Sequence, residues 1–279
     1  MTSGVLHVAV RGVGLLGPGF ADWAQGQALL RQPGGWIDAA TAVPAPARLP
    51  ATERRRAGTV VKASIVVADQ ACADAGLDPA TLTTVFTSST GDPLNCHLLC
   101  EALAGPDRLL SPTRFTNSVH NAAAGYWHIA AASRQASTSL AAFDASFGMG
   151  LLEAAAQCLC SGAPVLLVAC DVPYPEPLHR LRALPDVFAL ALVITPATGD
   201  WAARSQPMTV QLVADADAAA TGCLHPGLER LRQAIPAAQA LPLLHTLALR
   251  QAGRVLLPAP VGLAGLAIQV DLAPDQGGP

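Results

Sequence analysis

The apolar positions of this chain change period repeatedly, from the alternation of a strand to the three-to-four spacing of a helix and back. Residues 5–16, VLHVAVRGVGLL, alternate and then pass through glycines, which predicts a buried strand followed by a loop. A helix follows over 20–31, then a Pro/Gly/Ala-rich connector to Pro50. Thr52 opens a second helical pattern running to Ala75, with Gly76 at the C′ position and Asp78-Pro79 as a breaker. LTTVFTSS, residues 82–89, is short and β-branched, hence a strand. Helical spacing returns over 93–103 and 121–133, and 138–143 reads as a strand.

Residues 151–161 are apolar nearly all round, which predicts a helix buried on most sides. APVLLVAC, residues 163–170, is a fully buried strand. Further strands are predicted at 187–195, 208–214 and 263–272, and helices at 227–235 and 241–251. Strands alternating with helices argue for α/β layers. No repeat at solenoid period is present, and the tail PDQGGP is expected to fray.

Composition sharpens this picture at a few points. The 279 residues are 51% hydrophobic and only 13% charged, an apolar excess that needs a two-sided sheet core, a partner interface, or both. A net charge of −3 argues against nucleic acid as a main partner. No apolar run reaches the roughly 18 residues of a membrane span, and MTSGVLHVAVRG lacks a basic leader, so a cytoplasmic protein is expected. Seven cysteines form no disulfide framework and read as small buried hydrophobes. Lys62 is the only lysine.

The segment 137–162, STSLAAFDASFGMGLLEAAAQCLCSG, has the form of a turn that holds a nucleophile at the start of a buried helix. Its tip carries Asp144 and Ala145, with no cysteine. A helix start stabilises an anionic side chain as a cap, so Asp144 reads as a cap rather than a general base. Ser146 has no His or Lys close in sequence to activate it. GVGLLG, residues 12–17, matches a dinucleotide fingerprint, but Pro18 follows and no acidic residue ends a next strand. A tight strand-to-helix turn is the preferred reading. Cys96, His97 and Cys100 lack a second ligand cluster, so no metal is expected there, and core cysteines on an amphipathic helix are the preferred reading. His225 and Cys223 are similarly isolated. Asn117, His120, Asn121, Tyr126, Trp127 and His128 concentrate polar groups in a chain otherwise poor in them. They either bond loop backbone at a subunit contact or line a pocket.

Taken together these segments resemble the β-ketoacyl synthase branch of the thiolase-like proteins. The resemblance is carried by VAVRGVGLLGPG, PATERRRAGTVVKASIVVADQACADAGLD, FTSSTGD and SPTRFTNSVHNAAAGYWHIAA, in family order from about Val5 to Cys170. It implies an α/β fold, the thiolase-like α/β/α/β/α layering, as a single domain over 1–279. The N-terminal half, to about 172, would be intact and the C-terminal half, from about 173, compressed. Family members place a cysteine where strand meets buried helix; counting back from Ser161-Gly162 puts its equivalent at Ala145, or at Asp144 with a one-residue slip. The family's H-G-T-G-T and G-H histidines and its C-terminal lysine are also missing. LPLLHTLALRQAGRVLLPAP resembles the late helix and proline turn, with His245 inside the helix.

The resemblance therefore implies a non-catalytic, chain-length-factor-like subunit, of the type found in aryl polyene pathways, without a cofactor. Its partners would be a catalytic β-ketoacyl synthase in a dimer, and acyl carrier protein through the complex. Tunnel or interface positions would be Arg114, Phe115, Asn117, His120, Asn121, Tyr126, Trp127, Phe143, Phe147 and Met149. The alternatives are a carrier-protein scaffold, or an acyltransferase or hydrolase using Ser146 or a cysteine such as Cys170.

Overall fold

The computed structural model describes every residue except 1–3, 90, 215–218, 261–262, 264 and 275–279. The tail expected to fray thus lies, from Asp275 on, outside the described residues. The chain opens with strand β1 (Leu6–Leu16), helix α1 (Trp23–Arg31), α2 (Ala51–Arg56), α3 (Thr59–Ala75) and β2 (Thr83–Thr87). Then come α4 (Pro93–Ala104), α5 (Pro112–Thr116), α6 (Ala122–Ala131), β3 (Ser137–Leu140), α7 (Ser146–Ser161) and β4 (Val165–Asp171). The remainder is β5 (Phe188–Pro196), β6 (Gln206–Ala214), α8 (Pro226–Ala234), α9 (Leu241–Leu249), β7 (Gly253–Pro258) and β8 (Leu266–Leu272).

The eight strands among the described residues join one sheet in the order β3-β2-β4-β5-β1-β6-β8-β7. The β3-β2-β4 end is parallel and the rest antiparallel. Alternation divides two cores across it. Val165, Leu167 and Ala169 of β4 face the α7 side, whereas Leu166, Val168 and Cys170 face the α3 and α6 side. β5 repeats this with a difference in size: Phe188, Leu190, Leu192 and Ile194 point towards α7, and Ala189, Ala191 and Val193 towards α3.

The small residues on the α3 side let that helix lie close to the sheet. A Cβ on Gly14 would come 2.0 Å from the Val67 carbonyl oxygen, and one on Gly12 would come 2.3 Å from that of Ala71. Val67, Ala71 and Ala75, spaced by four, present the matching face of α3. The glycines read as a strand-to-helix turn therefore lie inside β1, which carries on through them with one irregularity between Val10 and Gly12. They serve close packing, not a bend and not a dinucleotide. α3 ends as expected, with Gly76 at φ 65° and a Leu77 N–H to Cys72 carbonyl bond.

Two further expectations change, and one short helix is added. The helix read over 52–75 breaks into α2 and α3 because Ala57 and Gly58 are extended, at ψ 128° and 174°, and only a glycine fits at 58, where a Cβ would lie 2.2 Å from the Asp92 carboxylate. The short α5 starts where Ser111 accepts from the Arg114 N–H. The segment read as a proline turn after the late helix is β7, an edge strand that ends at Pro258.

The packing of α3 on β1 yields a sharp prediction. Gly14→Ala is expected to lower stability by about 3 kcal/mol, since the clash is with helix backbone rather than a movable side chain. Gly34→Ala, which meets nothing within 4 Å, is the control and should change the urea midpoint little.

Candidate functional site

The turn after edge strand β3 is the most constrained piece of backbone near the sheet's parallel end. Phe143–Ala145 forms a single 3-10 turn, and Phe143 has φ 52°. A bulky side chain in the left-handed region costs about 1–3 kcal/mol and needs surrounding structure to hold it. The Ser146 hydroxyl does part of that, donating to the Phe143 carbonyl at 2.7 Å and accepting the Ala142 N–H at 3.0 Å. The Thr87 hydroxyl donates to the Ser146 carbonyl at 2.9 Å, tying the turn to β2. Ser146 is buried and its hydroxyl bonds run to its own turn.

Asp144 does not cap α7. Ala145 occupies the N-cap position without a side-chain bond, and Asp144 turns outward to pair with Arg182. The cap expectation fails because the 3-10 turn aims Asp144 away from the free N–H groups of the helix. Arg182 comes from the loop between β4 and β5. Its guanidinium carbon stands 3.9 Å from the Phe143 ring centroid and 5.8 Å from that of Tyr174, and Nη1 donates to the Tyr174 hydroxyl at 3.3 Å.

A second polar knot lies below the turn. Asp171, at the C-terminal end of β4, is fully buried and accepts from the Ser89 N–H at 2.8 Å, the Ala237 N–H at 2.8 Å and the Ser88 hydroxyl at 3.2 Å. It thereby joins the β2–α4 loop to the C-terminal half. Desolvation raises its pKa above the usual carboxylate range, and the donated bonds oppose that rise. Cys170 beside it is buried against the Val60 carbonyl. Burial first, then the charge of Asp171, pushes its thiol far above the ordinary value, away from the reactive thiolate.

The sheet separates the side chains expected to act together. Phe147 is in the core on the α7 face with Met149 packed against it, whereas Trp127 is fully buried on the α3 and α6 face. Phe143 is half exposed at the turn. Asn117 is buried, donating to the Arg56 carbonyl at 3.2 Å and accepting from the Tyr126 hydroxyl at 3.2 Å. Arg114 and Asn117 line an open groove of about 680 Å³ with Arg55, Arg56, Lys62 and Asp92. His120 and Asn121 instead line a polar groove of about 570 Å³ beside β3, with His128 and Ser139. His120 Nε2 stands 3.2 Å from the Ser88 carbonyl oxygen. Phe115 is exposed. Backbone bonding and groove lining, posed as alternatives for this segment, both occur in it.

The cysteine expectations divide as well. Cys72, Cys158 and Cys170 are buried, but Cys96 and Cys100 are exposed on α4, so they are not core residues; that helix face looks away from the sheet. His97 pairs with Glu101 at 3.2 Å. No group of three or more candidate metal ligands occurs among the described residues. Cys223 and His225 share a cavity of about 100 Å³ with His245 from twenty residues further on, and burial lowers the pKa of His245. Sequence reasoning missed Arg182 and Tyr174 entirely. Asp171 carried a signal, a lone acid directly after an unbroken apolar strand.

A family model described as the N-terminal domain of β-ketoacyl synthase matches residues 21–245. No curated protein matches the sequence significantly. A structure of a ketosynthase (ApeO) in complex with its chain length factor (ApeC) from Xenorhabdus doucetiae is similar at TM-score 0.69 and 20% identity, over 95% of this chain and 99% of that one. The ishigamide ketosynthase/chain length factor is similar at TM-score 0.68 and 14% identity, over 97% and 99%. The AntDE:AntF complex, a type II acyl-carrier protein with its ketosynthase, is similar at 0.71 and 12%, over 97% and 99%. At these identities the likeness establishes the thiolase-like α/β fold.

Asp171 gives this region a test in solution. A raised pKa means the folded state holds the proton more tightly than the unfolded one. The contribution of Asp171 is therefore full below the ordinary aspartate pKa and declines as pH rises through the folded value. Asp171→Asn should cost about 1–3 kcal/mol, because its NH₂ group would face a backbone N–H. In urea titrations its deficit relative to wild type should narrow from acid pH towards neutral.

Proposed function

Because the chain belongs to the β-ketoacyl synthase family, we propose that it is a non-catalytic, chain-length-factor-like subunit. In this reading it pairs with a catalytic β-ketoacyl synthase and walls the acyl tunnel of that partner, in aryl polyene-like biosynthesis. One observation carries the reading: the elbow is built in full, strained tip included, but an aromatic ring stands at the tip instead of a thiol. Nucleophile elbows concentrate strain at the reactive residue. The positive φ therefore favours Phe143, counted from the strand side, over Ala145 or Asp144 as the counterpart of the missing nucleophile. Ser146 spends its hydroxyl on the turn, and Cys170 is held as a thiol, which speaks against an acyltransferase or hydrolase.

Pairing is supported by the sheet edge. β3 bonds only β2 on one side, so its other edge presents free backbone groups. Phe115, Val119 and Ile129 are exposed on the neighbouring α5 and α6 elements and the turn between them. Acyl carrier protein as a further partner is supported by the groove that Arg55, Arg56, Lys62 and Arg114 line against the single acid Asp92. That basic concentration, in a chain of net charge −3, suits an acidic partner.

Co-expression with a ketosynthase from the same gene neighbourhood tests the pairing. The Thr84 N–H bonds the Ala136 carbonyl, so alternation turns the Ser139 N–H outward. Ser139→Pro should leave the fold intact and reduce co-purified ketosynthase to about a tenth or less of the wild-type level. A wild-type chain that purifies alone and as a monomer would sink the proposal.

A further inference from the structure

We infer that Arg182 is a positioning residue that fixes the Phe143 ring over the elbow, and so sets where the acyl chain of the partner must stop. This rests on the paired-subunit reading above and names the residue that would give it a defined length limit. The ring by itself is poorly held: it is half exposed, on the single strained residue of a turn whose bonds go to backbone. A half-exposed ring free to change rotamer would be a soft stop.

Arg182 removes that freedom from three directions at once. Its ion pair with Asp144 anchors the guanidinium to the same turn that carries Phe143. Its guanidinium carbon lies over the Phe143 ring, 3.9 Å from the centroid, well within cation–π range. Its bond to the Tyr174 hydroxyl ties the cluster back to the segment leaving β4, which ends in the buried Asp171 knot. The Arg182 side chain is 23% exposed and Asp144 54%, so the ion pair is open to screening and the ring and Tyr174 contacts do most of the holding. A point charge could satisfy Asp144, but only a planar cation can stack on the ring and bond Tyr174 as well. The choice of arginine at this position is thereby explained. The loop between β4 and β5 becomes a strap that closes on the elbow.

The test uses the complex of this chain with its ketosynthase, reading both co-purification and the length distribution of the polyketide products. Arg182→Met keeps the length of the side chain and removes charge and plane; Arg182→Lys keeps the ion pair and loses the stack. Both should pair like wild type and shift the distribution towards longer products by about one extension unit. Phe143→Ala should shift it in the same direction, and the Phe143→Ala/Arg182→Met double variant should match Phe143→Ala alone, because the two act as one device. If Phe143→Ala lengthens products while both Arg182 variants leave them unchanged, the positioning role is overturned and the subunit reading stands. If products follow wild type in Phe143→Ala as well, or wild type does not pair, the subunit reading falls and the inference with it. Should Arg182→Met be insoluble, Asp144→Asn together with Arg182→Lys carries the same comparison.

Discussion

A helix with almost no polar face runs through the middle of this molecule, and the rest of the structure is arranged to admit it. α7 packs on one face of the sheet against β1, β2, β4, β5 and β6 and against the turn at 236–240. The approach is close at two glycines: a Cβ on Gly150 would lie 2.8 Å from Thr87 Cγ2 of β2, and one on Gly148 2.9 Å from Ile268 Cδ1 of β8. Phe147, Leu151, Ala154, Ala155 and Cys158 are buried along it. Each large side chain among them contributes about 1.5–3 kcal/mol by leaving water. The chain can reach that position only by a sharp turn out of β3. The turn is therefore fixed by packing, whether or not any chemistry is done on it.

Packing of this kind can hold such a turn in place without any reactive group on it. A strained residue persists where its neighbours hold it, and here the Ser146 hydroxyl, the Thr87 hydroxyl and the Arg182 guanidinium all converge on the turn. The two polar clusters at this end differ in kind. Asp171 is a buried acceptor satisfied by backbone and a hydroxyl, and it joins the halves of the chain. Arg182 is a partly exposed cation that organises a surface. One is bound up with folding, and the other with the shape of the surface at the turn.

Much of the architecture was legible from apolar periodicity. The strand at 163–170 and the apolar helix before it stand where their patterns require, because burial on both sides leaves the same signature in sequence as in space. The glycines of β1 were misread, since Gly12 and Gly14 look the same whether they make a bend or admit a helix. The break at Gly58 was hidden because a single glycine inside a helical pattern does not by itself say where a helix stops. At the turn, the absence of a cysteine was legible but the strained residue was not. Counting from the helix end points to Ala145, whereas the residue with a positive φ is Phe143. Arg182 could not be seen at all, because nothing in LHRLRALPDVF says which turn its loop folds against.

The central claim is that this elbow is kept for packing and shape and never carries an acyl group. Intact-protein mass spectrometry of the co-purified complex, incubated with an acyl thioester donor, measures this directly. The account predicts an acyl adduct on the ketosynthase partner and an unchanged mass for this chain. A covalent adduct on this chain, mapped to Ser146, Cys170 or any other residue, would contradict it.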